Sequence, residues 1–138
     1  MKKSLQKLLA VTFSLAILLS ACSKAPNKIL PKKDGLWSAT YTSTETVGGA
    51  SSTQTGAWSI TFSEGTGVAS ELGFSAPFTW SYDKKNKTIT ITFSGSSSAT
   101  YNVEEMKSNS EKWTRNYTEV SSGITYNTNE TFNLSKVK

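Results

Sequence analysis

Residues 35–138 predict an all-β domain, an eight-stranded antiparallel up-and-down meander that closes into a barrel. Three observations carry this. Apolar and polar residues alternate with period 2 through most of the stretch, as they do in strands with one buried and one wet face. Short Gly, Ser, Asn and Asp clusters interrupt the alternation, and such turns join sequential strands antiparallel. The third is the count of eight strands in about 105 residues, a number that closes on itself and removes exposed edges. A two-sheet β-sandwich is the alternative, because strand count alone does not settle closure.

The elements follow in order. Trp37, Ala39 and Tyr41 share one face of the first strand, with Ser38, Thr40 and Thr42 opposite. Trp58, Ile60 and Phe62 alternate with Ser59, Thr61 and Ser63 in the second. Val68 and Leu72 mark a third strand within 67–73. Phe78, Trp80 and Tyr82 alternate with Thr79 and Ser81 in the fourth, and Ile89, Ile91 and Phe93 with Thr88, Thr90 and Thr92 in the fifth. Tyr101 and Val103 mark the sixth within 99–107. Trp113, Arg115 and Tyr117 fall in phase within 111–121, and Ile124, Tyr126, Phe132 and Leu134 within 123–136. Threonine dominates the polar faces, where its branched Cβ suits the pleat. The one long connection is 46–56, read as a loop between the first two strands.

Ahead of the domain, Lys2, Lys3 and Lys7 form a positive start, and Leu8 to Leu19 a short apolar run before the small residues Ser20 and Ala21. That is the layout of an export signal, and the run is too short for the roughly 20 residues that span a bilayer. Leu19-Ser20-Ala21-Cys22 resembles the lipobox of bacterial lipoproteins at every position. In that family the Cys receives a diacylglyceryl group, the chain is cut before it, and the new amine is acylated with a fatty acid such as palmitate. The resemblance implies a signal peptide over 1–21 and membrane lipid as a partner through acylated Cys22. It places the protein in the cell envelope, with the periplasmic face of an outer membrane favoured. Residues 22–34 then read as the lipidated Cys and an extended tether, with Pro26 and Pro31 and no sustained period. At about 3.1 Å per residue it reaches about 35 Å. The alternative is that Ile29 and Leu30 pack on the domain.

Net charge is +5 over the whole chain, yet residues 34–138 hold eight basic and all ten acidic residues. The basic excess belongs to the leader and tether, so the domain shows none of the basic character that nucleic-acid binding needs. Cys22 is the one cysteine; committed to lipid, it leaves no disulfide, and the core rests on aromatics. The chain has no His, which removes the usual base for a nucleophile and the commonest metal ligand. Glu104 and Glu105 are adjacent and read as solvated rim charges, and Asp83-Lys84-Lys85-Asn86-Lys87 as a polar hairpin turn. No enzyme, cofactor or metal site is expected.

Gly35-Leu36-Trp37 before an eight-strand meander resembles the Gly-x-Trp that opens lipocalins and related calycin barrels. Trp58 to Phe62, Gly65-Thr66-Gly67, Trp80 to Asp83 and Thr88 to Phe93 are similar to the short lipocalin-like domains of bacterial lipoproteins. The resemblance implies that Trp37 plugs the closed end of the barrel, and that Arg115, the one Arg, packs across its indole. The central Thr-Asp-Tyr of larger lipocalins is absent, and Arg115 sits one strand early. An eight-stranded barrel is just wide enough to be filled by side chains or to hold one small ligand. The expected function is a monomeric, membrane-anchored lipoprotein binding a small hydrophobic ligand in a cavity lined by Trp58, Phe62, Trp80, Tyr82, Phe93 and Tyr101. That cavity would open beneath the 46–56 loop. The alternative is a filled barrel that docks or inhibits another envelope protein.

Overall fold

The computed structural model describes residues 26–31 and 35–138. The eight strands are β1 (Leu36–Val47), β2 (Ala50–Ser63), β3 (Thr66–Glu71), β4 (Phe74–Asp83), β5 (Thr88–Phe93), β6 (Ala99–Met106), β7 (Ser110–Ser121) and β8 (Ile124–Lys136). Each pairs antiparallel with the next, and β8 pairs back onto β1, so the sheet closes as an up-and-down barrel and not a sandwich. At one end, here the base, lie the start of β1, the end of β8 and the turns after β2, β4 and β6. The other end, the mouth, carries the turns after β1, β3, β5 and β7.

The wall is uneven. β1, β2, β7 and β8 have 12 to 14 residues each, whereas β3 and β5 have six. The long strands pair almost to their tips, with Val47 opposite Ala50 and Ser121 opposite Ile124. Residues 46–56 are therefore not a loop. They form the tip of a tight hairpin turning on Gly48 and Gly49, both at positive φ, as a two-residue turn requires. Beyond the core both faces of a strand are wet, so its polar residues lose the alternation that marks strands lower down.

β3 also departs from expectation. Gly67 and Ala69 face the core, while Val68 is 41 % exposed and Leu72 lies in the turn with φ 47°. The inward face carries the smallest residues because the ring of Phe78, directly across the pair, covers Gly67; a Cβ there would lie 2.3 Å from that ring. An aromatic laid over a strand glycine recovers the packing the glycine lacks.

The base is sealed from within. Pro26–Ile29 is one helical turn, α1, closed by Leu30 N–H donating to the Pro26 carbonyl at 2.9 Å. Pro at the first helical position sacrifices no hydrogen bond. Ile29 and Leu30 are 2 % and 0 % exposed and belong to the core. This corrects the extended tether over 22–34: its middle is a plug, and the two apolar residues bury themselves as the alternative held. Leu30→Ala is expected to destabilise the barrel by about 2–5 kcal/mol. Urea unfolding checks this, since a solvated tether would show no change.

Candidate functional site

The base holds the tightest packing. Trp37 is fully buried and its indole N–H donates to the Leu30 carbonyl at 3.0 Å. Trp37 thus occupies the closed end as expected, but its cation is different. Lys136 Nζ lies 5.3 Å from its ring centroid, whereas Arg115 sits over Tyr117 at 4.2 Å and near Tyr101 at 5.9 Å. The register explains the correction: Trp37 pairs with Lys136 at the base, and Arg115 with Glu130 nearer the mouth.

Phe62 and Trp80 also belong to the base and not to a cavity wall. Phe62 meets Phe78, Trp80 and Trp113 edge-on at 5.6, 5.7 and 6.0 Å. The Trp80 N–H is shared between the carbonyls of Ser63 and Thr66, so the turn after β2 is pinned under the barrel. Tyr82 lies lower still, opposite Ile89 and half-buried. Burial raises its phenol above the ordinary value, and the charge of Glu111 adds to this.

Above this layer the packing opens into a chamber of about 170 Å³. Trp58, Phe93 and Tyr101, three of the expected six, line it; so do Tyr41, Phe78 and Phe132, which the expectation lacked. Phe132 is the hub, with ring centroids of Tyr41, Tyr101 and Trp58 at 4.7, 5.4 and 5.5 Å. Room exists because two wall positions carry alanine, Ala69 and Ala99. Trp58 stacks on Tyr41 at 5.8 Å, and its indole N–H donates to Glu71 Oε2 at 2.8 Å on the mouth side. No residue of 46–56 lines the chamber. Phe78 and Phe93 border both the chamber and a larger outer groove of about 640 Å³, which runs past Val68, Pro77, Thr79 and Ser94-Gly95-Ser96. β4–β5 pairing stops at that same pair of phenylalanines, so two rings separate the interior from the groove.

A polar group crowns the chamber. Glu130 is 8 % exposed; its Oε1 accepts the Tyr41 hydroxyl at 3.0 Å and that of Tyr117 at 3.4 Å. Its Oε2 lies 3.7 Å from Arg115 Nη1 without a hydrogen bond. Burial pushes the phenols of Tyr41 and Tyr101 above the ordinary value, and the Glu130 charge pushes in the same direction. Sequence reasoning passed over Glu130 and Glu111, both buried. The signal was parity, since each lies two residues from an inward aromatic, Phe132 or Trp113.

The remaining carboxylates behave as surface groups. Glu104 accepts from Thr114 at 2.7 Å and pairs with Lys112 at 3.3 Å; Glu105 pairs with Lys107 at 2.6 Å. Asp83 caps its own turn through the backbone N–H groups of Lys85 and Asn86. Cys22 lies outside the described residues. Among the described residues no helix is long and apolar enough to cross a membrane, and no cluster of metal-ligating side chains forms. Compared with models of protein families, with curated proteins and with solved structures, the chain matches none of them.

Proposed function

We propose that the protein is an exported lipoprotein, anchored through acylated Cys22, whose lipocalin-like barrel binds a small apolar molecule. The observation that carries this reading is the 170 Å³ chamber walled by aromatic rings. Apolar cavities of about 150 Å³ hold benzene-sized guests, and a compact ring with a polar substituent suits the size. The chamber is too small for a long acyl chain, so carriage of a lipid is not part of the reading. Apolar walls supply affinity by area burial, and the Tyr41, Glu130 and Arg115 group orients a polar end.

The test is quenching of tryptophan fluorescence by a small aromatic probe, with native mass spectrometry of the gently extracted protein. Saturable quenching is expected in the natural chain. Ala99→Leu, which fills the chamber, is expected to weaken it about tenfold or more while the fold persists. No quenching in either chain overturns the reading.

A second reading has one observation in its favour. Leu72 and Phe74 are 93 % and 83 % exposed at the tip of the β3–β4 hairpin, an apolar point on the mouth suited to docking another envelope protein. Capture of a partner that is lost in the Leu72→Ser, Phe74→Ser double variant, with an empty chamber, would favour it.

A further inference from the structure

The barrel is electrically two-ended. Lys84, Lys85 and Lys87 occupy the turn after β4 and are exposed, as is Lys107 in the turn after β6. Lys138 follows β8, and Lys28 stands on the exposed side of α1. With Lys112 and Lys136, every lysine among the described residues lies at the base, eight against five carboxylates, of which Glu111 is buried. The mouth is the reverse. Glu45, Glu71 and Glu119 are exposed there with no lysine among the described residues, and Arg115 is matched by Glu130.

The chain also reaches the barrel through this basic end. Pro26 and Leu30 are locked into the base, so the residue lipidated in the reading above, Cys22, lies only four positions before the folded body. Extended chain spans at most about 3.6 Å per residue, so Pro26, where the chain enters the base, lies within about 14 Å of an anchored Cys22. That is close to the range of about 8–10 Å over which surface charge is felt in physiological salt.

We infer that the basic base of the barrel rests on an anionic lipid surface and holds the mouth facing away from it. This rests on the reading of the chain as membrane-anchored. Lysines near a negative leaflet are attracted individually, and their effects accumulate over a cluster. The acidic mouth is repelled by the same surface, so attraction and repulsion favour one orientation.

The test uses the full chain as the cell makes it, with Cys22 acylated, so that an introduced cysteine is the one free thiol. Ser108→Cys at the base and Ala50→Cys at the mouth are each labelled with a fluorophore. Both are mixed with phosphatidylcholine vesicles carrying a headgroup quencher, with or without phosphatidylglycerol. The expected result is quenching at position 108 that rises when phosphatidylglycerol is present and returns to its phosphatidylcholine level in high salt, and little at position 50. Lys84→Gln, Lys85→Gln and Lys87→Gln together are expected to return position 108 to its phosphatidylcholine level. Equal quenching at both positions, or quenching indifferent to phosphatidylglycerol, overturns the inference. Indifference to lipid combined with lysine-dependent capture of an acidic protein also overturns it and assigns the pole to that partner. Failure of the anchoring reading shows separately, as a Cys22 peptide without acyl mass.

Discussion

Gly35→Ala is expected to be the most damaging single-methyl change in the molecule, with a loss of about 3 kcal/mol or more. Gly35 holds φ at +60°, and a Cβ built on it would stand 1.9 Å from the carbonyl oxygen of Phe62. The obstacle is backbone in a closed barrel, so no rotamer relieves it. Either the entry to β1 moves, and Trp37 with it, or the end of β2 does. Gly48→Ala is the control, with φ +56° and open space around the new methyl. Its cost is the left-handed conformation alone, about 1–2 kcal/mol. Thermal or urea unfolding of the two variants separates backbone strain from collision; equal losses would show that the approach to Phe62 relaxes freely.

Stability is expected to fall as pH rises from about 4.5 to about 7, against the usual acid sensitivity of proteins. Glu111 is 2 % exposed at the base, with Oε2 accepting the Trp113 indole N–H at 2.7 Å and Oε1 without a partner. Burial pushes its carboxyl up to about 7 from an ordinary 4.5, although the Trp113 bond opposes the shift. Between those values the folded chain holds a proton that the unfolded chain has released. Unfolding is then favoured as pH rises, by up to about 3 kcal/mol across the window. Asp83, Glu104 and Glu105 shift the other way because of their hydrogen bonds and ion pairs, and they act below the window. Glu111→Gln is expected to flatten the decline. Urea midpoints at about pH 5 and about pH 7.5 check this, and parallel slopes in both chains would assign the effect elsewhere.

The barrel was legible wherever one face of a strand is wet and the other packed. Phe78, Trp80, Ile89, Ile91, Tyr101 and Trp113 all point inward as their spacing required. Three things escaped for three physical reasons. At β3 the inward face holds Gly67 and Ala69 because Phe78 needs the space, so hydrophobicity pointed to the wrong face. In 26–31 two apolar residues, Ile29 and Leu30, lie between Lys28 and Pro31, too few for a period but enough for a plug. In the cavity, parity told which residues face inward but not how far along the barrel they sit. That height depends on register, and it separated Trp58, Phe93 and Tyr101 from Phe62, Trp80 and Tyr82. Register also separates Arg115 from Trp37, which the family resemblance had paired.

The seam between β1 and β8 has a consequence in time. Trp37 pairs with Lys136, and Thr46 with Asn127, so the first strand waits for the last. Until β8 arrives, β1 and β7 each present an unpaired edge, and the aromatic interior cannot be shut. Such long-range closure is slow compared with folding through neighbouring contacts. A chain that emerges N-terminus first therefore stays unsealed until its final strand is free. Pairing of β8 with β1 is the contact that closes the barrel.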